Sequence, residues 1–369
     1  METLFAVCTP GLEIFVAQEL DQVGLTGCYK SGPLYQSGGV EFKGSLDDIY
    51  RANLYLRTAS RVLVRLGQFY AAGFPELRRK ASRLPWENYL APDRSIAFRV
   101  TCQKSRLYHE AAVAERVAGA IRDRLGKPPP VHKHREEDTD IDLPQLIVVR
   151  LVGNLCIISI DSSGALLHRR GYRLETAKAP LRETLASAMV MASGWDKLSP
   201  LLDPFCGSGT IPIEAALAAA RIPPGYRRRF AFMDWPKFDS KSWNDLLADA
   251  DKAIVPDLPR IYGSDRDPGA VRAAKANAER AGVAGCIEFS DRPISAIHPP
   301  RAGGRVSKTK DLRNLYARFG KIMLIKCPGW QVTMLCDRIQ LIRNTGLDFD
   351  QGIPTMNGGL KVWLVRALV

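Results

Sequence analysis

Leu201-Leu202-Asp203-Pro204-Phe205-Cys206-Gly207-Ser208-Gly209-Thr210 decides the fold. It reads as a short apolar strand, an acid at its end, a glycine-rich turn and the start of a helix. The helix is expected from Ile211 to about Arg221, carried by Ala215, Ala216, Ala218, Ala219 and Ala220, a composition that propagates well. Pro212 falls in its first turn, where the missing N–H is harmless. Gly207 and Gly209 permit a sharp turn and let the backbone come close to a ligand. A strand–turn–helix unit of this kind sits at the ligand-binding edge of a parallel sheet.

Three ligands compete for such a turn. A phosphate loop needs Lys-Ser/Thr after the last glycine, and Thr210-Ile211 stands there instead, which argues against a nucleoside triphosphate. A dinucleotide fingerprint wants a third glycine where Pro212 stands, which argues against NAD. Asp203 weighs more. A carboxylate just before the turn repels phosphate but can hold an ammonium, and S-adenosylmethionine (SAM) carries an amino acid end and no phosphate. The other reading is a plain strand–helix turn with no ligand.

The chain has 369 residues, room for two or three domains. With 46% hydrophobic and 25% charged residues it can bury a substantial core. Its 52 Lys+Arg against 39 Asp+Glu leave a net charge of +13. That excess favours a polyanionic partner, most simply nucleic acid; a basic surface without such a partner is the alternative. Eight cysteines occur with no Cys-x-x-Cys pair, which argues against a zinc knuckle or a disulfide scaffold and predicts a reducing cytoplasm. No metal is expected. Residues 1–10 show no signal-peptide pattern, and no run of 18 apolar residues predicts a membrane span.

Residues 1–50 mix strand and helix signals. Thr3 to Cys8 reads as a strand. Leu12, Phe15, Val16, Leu20 and Val23 have helical spacing. A strand follows Gly38-Gly39, then a helix from Leu46 to Leu54, together an α+β sandwich. Further on, Ala59–Phe69 and Ser95–Cys102 read as strands. Phe74–Leu84 and His109–Leu125 read as helices, the second with Val113, Val117, Ala120 and Ile121 on one face. A hairpin is expected around Val152-Gly153. His132 and His134 read as solvated loop histidines rather than metal ligands.

Two basic stretches stand out. Leu167-His168-Arg169-Arg170-Gly171-Tyr172-Arg173 suits phosphate contacts through Arg169, Arg170 and Arg173, or is a solvated linker. Arg227-Arg228-Arg229 precedes Phe230, Phe232, Trp235, Phe238 and Trp243 inside an insertion spanning 223–258. Arginine interleaved with aromatics suits phosphate pairing and base stacking; the alternative is a cluster that packs the insertion onto a sheet.

After the insertion, Arg260–Asp265 reads as the next strand. Asp265 is placed to take a ribose, with Asp267 second. The third strand, Cys286–Phe289, is followed by Asp291, which could accept from an adenine amine or simply serve a turn. The chain is expected to close with a strand Trp330–Cys336, a helix Asp337–Asn344 and a hairpin of Phe349–Thr355 with Leu360–Leu368 across Asn357-Gly358-Gly359.

With Asp203, Gly207, Gly209, Asp265 and Asp291 on successive strand ends, the chain resembles a class I SAM-dependent methyltransferase. The fuller pattern, Asp203 to Glu214 preceded by His168–Arg173 and Pro180-Leu181-Arg182-Glu183, resembles the THUMP-domain RNA methyltransferases. Within them it is most similar to the bacterial enzymes that methylate guanine N2 in large-subunit ribosomal RNA. The resemblance implies an α/β fold: a class I, Rossmann-like methyltransferase sheet behind an N-terminal α+β region. The implied domains are ferredoxin-like (1–55), THUMP-like and RNA-binding (56–165) and methyltransferase (166–369). It also implies that Asp203, Phe205, Gly207, Gly209 and Thr210 hold the methionine end of SAM, Asp265 the ribose and Asp291 the adenine.

One departure matters. The family carries Asn/Asp-Pro-Pro-Tyr at the end of its fourth strand, where carbonyls orient the target amine and the ring stacks on the flipped base. Here the corresponding region holds His298-Pro299-Pro300-Arg301. Upstream, only Ile294–Ile297 could serve as a fourth strand. Either His298, Pro299 and Pro300 are a degenerate acceptor motif, or strand and motif are deleted; a central strand should be a continuous apolar run, which favours deletion. The main expectation is an RNA methyltransferase acting on ribosomal RNA. Its rivals are an RNA-binding protein that keeps the methyltransferase fold without turnover, and a DNA adenine methyltransferase.

Overall fold

The computed structural model describes residues 1–25, 35, 36, 38–91, 93–132, 143–174, 181–296 and 312–369. The chain divides into two compact units. One comprises residues 1–8, 17–167 and 227–248, the other 9–16, 168–226 and 249–369.

The first unit is built on one eight-stranded sheet. Its strands are β1 (Glu2–Cys8), β2 (Tyr35–Gln36), β3 (Gly39–Gly44), β4 (Ala59–Tyr70), β5 (Ile96–Gln103), β6 (Val131–His132), β7 (Gln145–Val152) and β8 (Leu155–Asp161). They run in the order β2-β3-β1-β4-β8-β7-β5-β6. The long strand β4 joins the two halves, pairing antiparallel with β1 on one side and with β8 on the other. Four helices fall among these strands: α1 (Glu13–Gln22), α2 (Leu46–Tyr55), α3 (Phe74–Ala81) and α4 (Glu110–Leu125). Ser45 and Asp48 start α2 with a capping box, which satisfies two of its free N–H groups. The α4 face expected to be apolar is the face it buries: Val113, Val117, Ala120 and Ile121.

Residues 227–248 belong to this unit although they follow the glycine turn in the chain. Phe230, Phe232, Trp235 and Trp243 are all under 9% exposed. The Phe232 ring lies 4.6 Å from that of Tyr50 in α2, and Phe238 and Trp243 meet Tyr50 edge-on. Asp239 N donates to the Tyr50 hydroxyl at 2.9 Å, and Trp235 Nε1 donates to Gln145 Oε1 at 2.8 Å. The rings expected as base-stacking candidates are therefore core, and the packing alternative describes them.

The second unit holds two sheets. Strands β9 (Leu201–Asp203), β10 (Ile261–Ser264) and β11 (Ile287–Ser290) are parallel in the order β11-β10-β9. Helices α5 (Glu183–Ala192), α6 (Thr210–Ala219) and α8 (Pro268–Ala281) accompany them; α7 (Ser240–Lys252) lies in the insertion. Ile213, Ala216, Ile261, Ala274, Ala278 and Phe289 form the centre of one core cluster. α6 is apolar almost all round, as a helix buried on every side must be. The remaining strands, β12 (Gln331–Cys336), β13 (Ile353–Asn357) and β14 (Leu360–Leu368), are antiparallel in the order β12-β14-β13, with α9 (Leu312–Lys326) and α10 (Ile339–Ile342) beside them in the chain. The final hairpin forms across Gly358 and Gly359 as expected. Its first strand starts at Ile353, not Phe349, and the helix expected over 337–344 is one turn followed by a 3-10 turn.

Ile294–Ala296, the candidate fourth strand, is a single 3-10 turn. Ala296 N closes it onto the Pro293 carbonyl at 2.8 Å, and Ile294 packs against the cluster of Phe319, Met323 and Val332. Among the described residues no strand lies between β11 and β12, so β9 and β12 are each the edge of a three-stranded sheet.

Candidate functional site

The parallel sheet aligns its carboxyl ends. Gly263 pairs with Asp203 across β10 and β9, and Ser264 pairs with Ser290 across β10 and β11. Asp203, Asp265 and Asp291 thus end, or directly follow, three neighbouring strands on one edge. The turn after β9 is tied to β10, with Cys206 N donating to Ser264 O at 2.9 Å and Gly207 N donating to Asp265 Oδ2 at 3.1 Å. Gly207 and Gly209 have φ of +51° and +85°, the region glycine enters without a Cβ penalty. A Cβ on Gly209 would lie 2.9 Å from that of Ala274 in α8, so Gly209 also sets how closely the turn meets that helix.

The carboxylates are not equivalent. Asp203 is buried and accepts from Phe205 N at 3.0 Å. Burial pushes its carboxyl up to about 6, and the nearby Asp265 charge adds to the shift. The same burial and the same two acids push the Cys206 thiol up. Asp265 is half-buried and also accepts from Asp267 N at 3.0 Å. Asp267, the second choice for the ribose, instead caps α8 by accepting from Gly269 N at 2.8 Å. Asp291 is exposed just past β11, Phe205 is 53% exposed beside the turn, and Thr210 is buried at the start of α6. The site gathers negative charge that nothing on its own turn neutralises. A cation carried by a ligand would relieve it, and a phosphate would worsen it.

A buried polar network supports the turn from behind. Asn277, fully buried on α8, donates through Nδ2 to the Ser208 carbonyl at 3.1 Å. Arg280 donates to Asn277 Oδ1 at 2.5 Å and to the Tyr172 carbonyl at 2.9 Å. The Tyr172 hydroxyl and Ser187 Oγ both donate to Glu214, at 3.0 and 2.7 Å. Sequence reading missed Asn277 and Arg280. The available signal was a polar residue inside the alanine stripe Ala274, Ala278 and Ala281, since a polar group on a buried face needs a partner.

The arginines expected to meet RNA divide. Arg170 is buried 3.6 Å from Glu214, and Arg173 pairs with Glu183 at 2.8 Å. Arg228 donates to the carbonyls of Ala165 and Leu166. These three guanidinium groups are turned into the protein. Arg229 is half exposed and chelates Asp234, Arg227 is exposed, and Arg169 is half-buried next to His168. Burial and then Arg182, Arg170, Arg169 and Arg173 push the His168 imidazole down to about 3, so it stays neutral. Burial pushes Glu183 up to about 7 despite its Arg173 partner. His298, Pro299 and Pro300 lie outside the described residues, as does His134. Among the described residues no group of three or more His, Cys, Asp or Glu side chains could hold a metal, and no helix is long and apolar enough to cross a membrane.

Comparison with known proteins agrees with this geometry. Residues 170–365 match the family described as RMKL-like, methyltransferase domain. Residues 3–63 match an RlmL ferredoxin-like domain and 71–161 a THUMP domain. A ribosomal RNA large subunit methyltransferase K/L from Allochromatium vinosum is 35% identical over 98% of this chain and 51% of its own. The chain spans about half the length of the K/L relatives it matches. A Synechocystis protein provisionally named an RNA methyltransferase, slr0064, is 32% identical over 98% of this chain and 95% of its own. The crystal structure of SMU.472, complexed with SAH, is 28% identical with a TM-score of 0.86, covering 100% of this chain and 98% of that one.

Proposed function

This chain belongs to the RMKL-like methyltransferase family, and from that premise we propose that it methylates RNA with SAM, at guanine N2 of large-subunit ribosomal RNA, in the cytoplasm. The observation that carries the reading is the buried Asp203 carboxyl, raised to about 6 beside Asp265 at the glycine turn. An amino acid ammonium is the ligand group that this pair favours. The relatives named for ribosomal RNA methylation and the SAH-bound neighbour support the same choice.

SAM, when bound, supplies a sulfonium methyl group that moves to the amine nitrogen, leaving S-adenosylhomocysteine and a proton for solvent. The chain's part is positioning. Asp203 pairs with the ammonium, and Gly207 and Gly209 let the turn approach the methionine end, flanked by Phe205 and Thr210. Asp265 turns from the Gly207 amide to the ribose hydroxyls, and Asp291 accepts from the adenine amine. The first unit, with its ferredoxin-like (1–55) and THUMP-like (56–165) regions, holds the RNA. Of the six arginines expected to meet RNA, Arg227 and Arg229 are exposed and Arg169 is half-buried, and Arg229 would share its charge between Asp234 and a phosphate.

A second reading has an observation of its own. It is an RNA-binding protein with impaired turnover, motivated by His298-Pro299-Pro300-Arg301 standing where the resembled family has Asn/Asp-Pro-Pro-Tyr. Labelled SAM incubated with the protein and unmodified ribosomal RNA, with the labelled nucleotide then mapped, separates the two. Label in guanine N2 supports the first reading. Cofactor and RNA binding with no label supports the second.

A further inference from the structure

The loop after β5 is held in shape by its neighbours. Lys104 has φ +48°, a conformation few side chains adopt. Arg106 N donates to Asn154 Oδ1 at 2.8 Å, and Asn154 N donates to Ser105 Oγ at 3.0 Å. Gly153 N donates to the Gln103 carbonyl at 3.1 Å. The loop is thus pinned to the turn between β7 and β8.

What the loop presents is aromatic and basic. Tyr108 is 67% exposed, and its ring centroid lies 4.1 Å from that of the exposed His109, with the planes 39° apart. An exposed tyrosine alone is ordinary. Here two adjacent exposed rings lie against each other at a tilt, on a loop tied down by hydrogen bonds. From Arg99 to His109 the chain carries Arg99, Lys104 and Arg106 and no acid. Arg99, Thr101 and Gln103 form the exposed side of β5, and Arg150 on β7 lies opposite Thr101. The basic sheet face leads to the ring pair.

We propose that Tyr108 and His109 form a stacking platform for an unpaired RNA base, with Lys104 and Arg106 on the flanking phosphates. The assignment rests on the RNA reading above and goes beyond it by naming the surface and the form of RNA. Bases offer their faces to side chains only where they are unstacked, in single strands, loops and bulges. The two cations that precede the ring pair in the chain supply the salt-sensitive part of the binding.

The test uses the full chain and a fluorescein-labelled oligoribonucleotide of about 12 mixed nucleotides, within the span one binding module covers, beside its duplex. Tyr108→Ala should weaken single-strand binding about tenfold, the effect of losing one stacked base, and leave duplex binding little changed. Tyr108→Phe should keep the parent affinity. Lys104→Ala with Arg106→Ala should reduce the salt slope by about 1.4, from two phosphates on a single strand. Calorimetric affinity for S-adenosylhomocysteine reads the other site and should not move in any of these variants. If Tyr108→Ala binds the single strand as the parent does, or loses duplex and single strand equally, the platform is wrong and the RNA reading stands. If the parent shows no salt-sensitive RNA binding, the RNA reading falls and the platform with it.

Discussion

Asp265 Oδ2 accepts a hydrogen bond from the Gly207 amide at 3.1 Å. The acid that directly follows β10 thereby ties down the turn that follows β9. The two sequence features that decide the fold are one hydrogen-bonded unit. Asp265 therefore sets the shape of the turn to which the proposal above assigns the cofactor.

Asp203→Ala and Asp265→Ala should each weaken S-adenosylhomocysteine binding about tenfold or more. A hydrogen bond to a charged group is worth roughly 1.5–3 kcal/mol. Calorimetry measures the loss directly. Unchanged affinity in both variants would remove the cofactor assignment.

Cofactor affinity should also depend on pH. Burial and Asp265 push the Asp203 carboxyl up to about 6. The folded chain therefore holds a proton that the unfolded chain has released between about pH 4 and 6. Ionising Asp203 costs stability as pH rises through that window, and an ammonium ligand recovers it. Only the ionised form pairs with the ammonium, so affinity should fall below about pH 6, by up to tenfold per pH unit. Asp203→Asn should bind weakly and with a flat profile. A parent profile that is flat from about pH 7 to 5 would show that Asp203 does not meet the ammonium.

Asn277→Ala should lower both stability and cofactor affinity. The variant leaves the Ser208 carbonyl without its Asn277 donor, and a buried polar group stripped of its partner costs roughly 1–3 kcal/mol. The Ser208 peptide lies within the ligand turn, so its displacement should weaken S-adenosylhomocysteine binding in the fraction that remains folded. Thermal unfolding with and without the ligand measures the two effects. A lower Tm with an unchanged ligand-induced shift would make Asn277 structural only.

How far these features could be read in the sequence depended on how local their causes are. β9, its turn and α6 follow from nineteen consecutive residues, and the α4 stripe follows from helical spacing alone. Asp203, Asp265 and Asp291 were legible because each follows its own short apolar strand. Arg170 and Arg173 were misread as surface because their acids, Glu214 and Glu183, sit on helices later in the chain. The insertion was harder still. Arginine and aromatic residues have the same composition whether they bind bases or fill a core. What placed Phe232 and Trp243 was Tyr50, far away in sequence. Asn277 was hidden because one polar residue in an alanine-rich helix looks like surface until the facing carbonyl is known.

Methyl transfer by this chain should be slower than in a relative that carries Asn/Asp-Pro-Pro-Tyr, even when cofactor binds normally. On the proposed donor side, Asp203, Asp265 and the glycine turn are tied by hydrogen bonds at one sheet edge. The acceptor side is not matched to it. Ile294–Ala296 is a 3-10 turn, and the sequence after it offers His298-Pro299-Pro300-Arg301, with no amide or carboxylate before the prolines and no ring after them. A misplacement of about 1 Å can cost about 100-fold in rate. Single-turnover methylation of unmodified ribosomal RNA, beside such a relative, measures the deficit. If His298 replaces the missing acceptor, His298→Ala should abolish the residual rate. If the motif is simply deleted, His298→Ala should leave the residual rate where it was. A rate equal to the relative's would mean that the amine is oriented by groups other than the family's motif, because the donor geometry alone cannot bring it into line.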